Sequence, residues 1–427
     1  MDVVTVAAEP DQLLTKPGRQ DSRRIPGIAP RVPRLAGIDV ARGLAVLGMY
    51  AAHVGPDPSQ GGAGVLFRPF EGRSAALFAV LAGVSIALMS GGREPKTGLA
   101  QTRVSLRLAT RAPLIMALGL WLTNLNTGYL VILSYYGICF LVAIPFLRMR
   151  AKALAIAAAV TAVVVPFASY FIRAAVAPRD LYYLLPDARF EHFGSFGEAL
   201  TILVLTGTFP AVGLMTYLFA GMAIGRLDLR SPLVCRRLFL GGTALAVLAY
   251  GASYLATDVF GGMRRIYETL APAAARAGMT PEQYFGFHLN NIHGTPPTTT
   301  LAWELVSSAH SYTPFDFVAC IGVAAAVIGG CQLLMRRCAR FLRPLADLGS
   351  VILSAYVFHF IAIWLLWNAD DESAFSLLHF LEFSAVAIVA AVAWKRWIGR
   401  GPLEWLLHVL SKWPNRVIRP RIPAQRS

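Results

Sequence analysis

Apolar stretches close to 20 residues long recur along almost the whole chain, and this recurrence excludes most folds at once. A stretch of that length, wound as a helix, crosses the roughly 30 Å hydrocarbon core of a bilayer. Within that core each backbone N–H and C=O must find an internal partner, so spanning segments are helices or closed barrels. The spacing predicts an all-α, polytopic transmembrane bundle of ten spans, at about 36–55, 74–90, 108–125, 129–147, 152–173, 199–225, 238–257, 315–335, 345–367 and 376–394. The bulk chemistry agrees. Of 427 residues, 56% are hydrophobic and only 15% charged, with a mean hydropathy of +0.55, well outside the range of soluble domains.

A net charge of +15 raises the question of nucleic acid, and the placement of the charge answers it. Threading the ten spans with the N-terminus inside puts 30 of the 39 Lys and Arg residues on the inner side and 7 on the outer, with Arg42 and Arg173 within spans. That asymmetry is the positive-inside pattern. Both termini are expected to be cytoplasmic, and the basic character serves topology and anionic lipid rather than nucleic acid. Cys139 and Cys320 fall in spans, and Cys235, Cys331 and Cys338 near the inner surface. No exported disulfide is expected, and with no Cys-x-x-Cys pair no thiolate metal site either.

Residues 1–33 are polar, basic and proline-containing and read as a disordered cytoplasmic tail. Residues 34–400 read as one membrane domain, and 401–427 as an amphipathic helix followed by a basic tail. The first span carries the most informative pattern. Asp39, Arg42 and His53 sit in an otherwise apolar helix, where charge is costly and normally faces a cavity or a partner. Arg42 and His53 are eleven residues apart, three turns, so they share a face about 16 Å from each other. Asp39 falls close to the same line. These three are the candidate catalytic residues, with His53 the one group whose ordinary titration suits a general base near neutrality.

Other polar positions gather around the spans. Glu71 and Arg73 close the first outer loop, His310 precedes the eighth span, and Tyr135 lies in the fourth; these are candidate substrate contacts. Thr206, Thr208 and Pro210 predict a kink in the sixth span. Gly83 and Ser85 read as small packing residues, and His359, on an apolar face, reads as a packing residue too. Arg103, Arg107 and Arg111 recur every four residues and make one basic helical face, which suits lipid headgroups or the phosphates of a cytosolic donor. Residues 258–314 form the longest outer loop, with a helix expected near 263–278. Its histidines lack the pairing of a metal site, and no metal is expected.

Several blocks together resemble a known group. IDVARGLAVLGMYAAHVGP followed by GRSAALFAVLAGVSIAL is similar to the opening of the heparan-α-glucosaminide N-acetyltransferases and their bacterial YeiB-like relatives. TPFDFVACIGVAAAVIG, PLADLGSVILSAYVFHF and RGPLEWLL resemble the C-terminal half of that bacterial family. The resemblance covers about 35–411 and divides the membrane domain into a glucosaminide-acetyltransferase-like half, 34–230, and a YeiB-like half, 231–400. The Arg-x10-His spacing of Arg42 and His53 also matches the acyltransferase-3 group, where the histidine is essential. In one respect the chain departs: the lysosomal enzyme has asparagine at the place of His53 and a catalytic histidine in the next loop, whereas 55–73 here contain none. Either His53 takes that role, or this branch has altered or lost the activity.

The resemblance implies a bacterial plasma-membrane acyltransferase. It would move an acyl group, acetyl by kinship, from cytosolic acyl-CoA to a hydroxyl or amine of an extracytoplasmic glycan or glycolipid. Acyl-CoA enters as a co-substrate, with no tightly bound cofactor. Expected partners are membrane lipids, the donor and the acceptor, with a homodimer left open. Two other readings stand beside it: a transporter using the Asp39–Arg42–His53 stripe, and a non-catalytic membrane protein.

Overall fold

A computed structural model of the protein describes residues 35–58, 61–176, 188–367 and 375–413. The N-terminal tail, the beginning of the segment after the fifth span, the loop at 368–374 and the C-terminal basic tail lie outside the described residues. All regular structure among those described is helical. In chain order the α-helices are α1 Ala36–Val54, α2 Arg73–Met89, α3 Gly98–Thr123, α4 Leu133–Val142, α5 Ala151–Val176, α6 Phe196–Thr201, α7 Ala211–Gly225, α8 Pro232–Tyr254, α9 Gly262–Arg276, α10 Pro281–Asn291, α11 Pro314–Arg337, α12 Ala339–Ser350, α13 Ile352–Leu366, α14 Leu377–Trp397 and α15 Pro402–Leu410.

Among the described residues, six helices are long and apolar enough to cross a membrane, and up to eight if each of two bent pairs counts as one span. The sequence predicts ten. The fourth segment is an α-helix of only ten residues, which tightens into a 3₁₀ turn at Ile144–Arg148 around Pro145. α1 is 19 residues long, and its polar stripe keeps it out of the apolar set. The predicted kink in the sixth segment is present. Phe196–Thr206 ends in a π turn, and the chain bends by 51° before α7 restarts after Pro210. A second bend, of 72°, separates α12 from α13.

α1 lies at the centre, packed against α12, α11, α2, α14 and α13. Between helices in lipid the hydrophobic effect supplies little drive, so association rests on close van der Waals contact and polar bonds. Glycines provide the first. A Cβ on Gly349 of α12 would strike the Asp39 carbonyl of α1, and one on Gly43 would strike the Leu345 carbonyl in return. Gly83 and Gly221 bring α2 and α7 into the same kind of contact, and Gly242 and Gly322 do so for α8 and α11. Arg226, at the C-terminus of α7, provides the second. It is 4% exposed and donates to the carbonyls of Ala87, Gly92, Leu147 and Met149 at 2.6 to 3.3 Å and to Ser90 Oγ at 2.9 Å. One guanidinium thereby closes the ends of α2, α7 and the 3₁₀ turn after α4.

The long loop has its own fold. α9 and α10 enclose a small core of Ile266, Leu270, Phe285, Ile292 and Trp303. α10 begins at a capping box in which the Thr280 hydroxyl accepts the Gln283 N–H and the Gln283 side-chain oxygen accepts the Thr280 N–H, with Pro281 in the first turn.

Candidate functional site

The stripe on α1 resolves into two separate environments. Near the N-terminal end, Arg42 Nη1 donates to Asp39 Oδ1 at 2.9 Å and Nη2 to Ser85 Oγ on α2 at 2.6 Å. The Ser85 hydroxyl in turn donates to the Leu81 carbonyl at 2.6 Å. Arg42 is thus held by a carboxylate and a hydroxyl, and Ser85 does more than pack closely.

At the other end, His53 Nδ1 lies 3.0 Å from His359 Nε2, with the rings stacked at a 5.2 Å centroid separation. His359 comes from α13, 306 positions along the chain. It was read from sequence as a packing residue, and packing alone does not describe it. Tyr50, Tyr356 and Phe360 surround its ring. Tyr129, from the loop between α3 and α4, covers His53 at 4.9 Å, and burial pushes its hydroxyl up to about 12, so it remains a proton donor. Sequence reasoning missed both partners. A histidine and a tyrosine on apolar segments give no periodic signal.

The placement of His359 depends on a third segment. Glu404 of α15 accepts the backbone N–H groups of Leu353 and Ser354 at 2.7 and 3.1 Å and the Ser354 hydroxyl at 2.6 Å. Ser354 Oγ in turn accepts the Leu403 N–H at 3.2 Å. The carboxylate therefore caps the N-terminus of α13 from outside the helix, where exposed N–H groups and the helix dipole favour negative charge. The Gly-Pro-Leu-Glu-Trp block is a clamp on the helix that carries His359.

A second cluster adjoins the histidine pair. Arg73 Nε donates to Tyr250 OH at 2.9 Å and Nη1 to the Glu71 carbonyl at 3.0 Å. Glu71 thus contributes its backbone to Arg73. His310 stacks on His293 at 5.4 Å and meets Phe209 edge-on. Burial and the positive potential of His293, Arg73 and His53 push its imidazole down to about 3, so it is neutral at physiological pH. Its backbone is unusual. His310 and Tyr312 have φ of 57° and 54°, a conformation that non-glycine residues rarely adopt and that costs energy. The loop is held there by Gly294 N–H donating to the His310 carbonyl at 2.6 Å and by Tyr312 N–H donating to Asp316 at 3.2 Å. Gly72, itself at φ 67°, presses against Ala309 and His310 with no room for a side chain. Tyr135 stands in the wall behind, bonded through its hydroxyl to Thr208.

Arg103, Arg107 and Arg111 all lie on α3, far along the chain from these histidines. Arg111 Nε donates to Ser411 Oγ at 3.1 Å, and Trp413 Nε1 to Thr110 at 2.8 Å, so the segment at the end of α15 is docked on this basic face. Burial together with Arg400, Lys412, Arg111 and Arg107 lowers the His408 imidazole. Burial and Arg107 likewise lower Lys96. Cationic side chains from three segments therefore converge on one patch. Among the described residues, no group of three or more His, Cys, Asp and Glu side chains could hold a metal ion.

Buried beside α5 is a group of a different kind. Glu304 is 2% exposed and neither carboxylate oxygen has a hydrogen-bond partner, while Arg173 Nη1 and Nε are taken by the Pro296 carbonyl and Ser169. Burial pushes the Glu304 carboxyl up to about 7 against the opposing pull of Arg173. The folded protein holds this proton more tightly than the unfolded chain, where the ordinary value is 4.5. Its contribution to stability is therefore full below 4.5 and lost as pH rises through about 7. Glu304→Gln should raise the melting temperature at about pH 8 and flatten its dependence on pH above the ordinary carboxyl range. A wild-type slope retained in the variant would show that the carboxyl is ionised in the fold.

Residues 34–238 match the family described as heparan-alpha-glucosaminide N-acetyltransferase, catalytic. Residues 286–414 match the family described as a protein of unknown function, DUF418. The family resemblance holds. A comparison with curated proteins found no match. The chain is a helical membrane protein whose N-terminal part is similar to a transferase catalytic domain, and the two matched parts meet at the histidines. His53 belongs to the acetyltransferase-like part and His359 to the other.

Proposed function

We propose that the protein is a membrane acyltransferase that moves an acyl group, acetyl by kinship, from cytosolic acyl-CoA to a hydroxyl or amine of an extracytoplasmic glycan or glycolipid. The observation that carries this reading is the contact between His53 and His359, an imidazole held in place by a second imidazole at the meeting of two family segments. With His359 Nε2 accepting the proton on His53 Nδ1, the Nε2 of His53 presents a free lone pair. It takes the proton of the acceptor O–H or N–H as that atom bonds to the thioester carbonyl carbon. The C–S bond then breaks, and the leaving thiolate takes the proton back from His53. Tyr129, protonated and in contact with His53, would serve as a donor for the oxyanion formed on the way.

The convergent cations on α3 and on the residues flanking α15, Arg400 and Lys412, supply the chemistry for donor phosphates, with Arg103, Arg107 and Arg111 in that role. Arg42, neutralised by Asp39, lies about 16 Å from His53 along α1 and would orient the donor arm between the two ends. Arg73 and His310 line the acceptor side.

The test uses purified protein in nanodiscs with radiolabelled acetyl-CoA. Wild type should bind the donor saturably and cleave the thioester, and His53→Ala should bind it and lose about 10²- to 10⁴-fold in cleavage. A panel of acyl-CoAs that is neither bound nor cleaved would remove the basis for acyl transfer.

A further inference from the structure

α13 and α14 follow one another in the chain yet touch little, because α14 is held instead against α12 and α1. The gap between them is an apolar groove of about 940 Å³, open along one side and walled by Phe358, Phe383, Ala387 and Ala391. That volume is in the range of dedicated ligand pockets. The groove is long as well as large. It extends along α14 from His379 and Glu382 to Trp394, fifteen residues or about 22 Å of helix, which is most of the depth of a hydrocarbon core.

Two features distinguish it from a gap between poorly packed helices. Its inner wall includes Tyr50 and His359, so it reaches the imidazole that contacts His53. One end carries the carboxylate of Glu382, which complements a cationic amine, and the other carries the indole of Trp394, a side chain suited to the interface. Water gains nothing from walls of alanine and phenylalanine, and the exposed face of α14, with Val386 at 68% and Val389 at 66%, is a surface for lipid chains.

We propose that this groove holds the hydrocarbon chain of the acceptor, and that the acceptor is therefore a membrane lipid with an amine- or hydroxyl-bearing headgroup, entering sideways between α13 and α14. The proposal rests on the acyl-transfer reading above. The headgroup heteroatom gives its proton to His53, bonds to the thioester carbonyl carbon and displaces the thiol. A lateral opening suits a substrate that never leaves the bilayer, whereas a soluble glycan has no use for an apolar channel of this length.

The experiment places a trace of phosphatidylethanolamine, bearing a mid-chain diazirine and a terminal alkyne, in nanodiscs containing the full-length protein. After photolysis, the labelled peptides are mapped by mass spectrometry. Labelling should concentrate on α13 and α14 above the exposed faces of α5 and α8. Ala387→Trp, which fills the groove, should remove most of it, and Val389→Trp, on the outer face of α14, should leave it intact. Equal labelling of all lipid-facing helices, indifferent to Ala387→Trp, would mean annular lipid only and overturn the proposal. Labelling requires no acyl donor, so the two readings fail separately. Groove labelling without any acetylated lipid after acetyl-CoA is added would overturn the acceptor assignment through the reaction rather than through the groove.

Discussion

Replacing His359 by alanine should lower the rate of acyl transfer by about 10²-fold or more while leaving the KM for acyl-CoA close to wild type. An imidazole base is effective only when its tautomer and ring orientation are fixed, and the hydrogen bond on its far nitrogen normally fixes them. For His53 that bond is the 3.0 Å contact with His359 Nε2. Removing the partner frees the His53 ring to rotate and leaves its resting proton on either nitrogen. Because the proposed contacts to the donor phosphates lie on α3, binding of the donor is not touched, and the loss falls on kcat. His359→Gln keeps a polar group near His53 Nδ1 and should recover part of the rate. Glu404→Ala should reproduce a weaker form of the same defect, since the carboxylate that caps α13 sets the height of His359 against α1. Single-turnover kinetics with each variant separate the two steps. An alanine variant at 359 with wild-type kcat would make the histidine contact a packing feature.

The second large effect is on folding. Arg226→Ala should destabilise the protein by about 3–5 kcal/mol, the range for removing one side of a buried charged network. Four backbone carbonyls and one hydroxyl lose their donor together, in a position where water does not replace it. Arg226→Lys should rescue little. An ammonium offers three donors from one point, while these acceptors surround a planar group with five. Thermal unfolding in detergent, followed by the near-ultraviolet signal of the tryptophans, measures the change. A loss below about 1 kcal/mol would place the acceptors in contact with water after all.

Legibility of the site from the sequence followed distance along the chain. Asp39, Arg42 and His53 stood out because one helix carries all three, and helical geometry alone puts them on a common face. The partners of those residues were not legible. Ser85 looked like a small packing residue and His359 like an apolar one, since nothing local distinguishes a histidine that packs from one that meets another histidine. The clamp by Glu404 was visible only as part of a family block, without its physical role. α10 is an instructive omission: Thr280, Pro281 and Gln283 spell a helix start, and the apolar residues after them fill a core that the loop builds for itself.

The sequence by itself determined that this is an α-helical membrane protein, where the sixth segment bends, and which helix carries the polar stripe. Those properties depend on hydropathy, on proline and on the helical repeat, all local. Tertiary structure alone decided the number of helices long enough to span and the division of the stripe into an arginine end and a histidine end. It also decided the pairing of His53 with His359 and the opening beside α14. These depend on which helices approach closely, and in lipid that is set by glycine contacts and buried polar bonds between segments hundreds of residues apart, which no window of sequence contains.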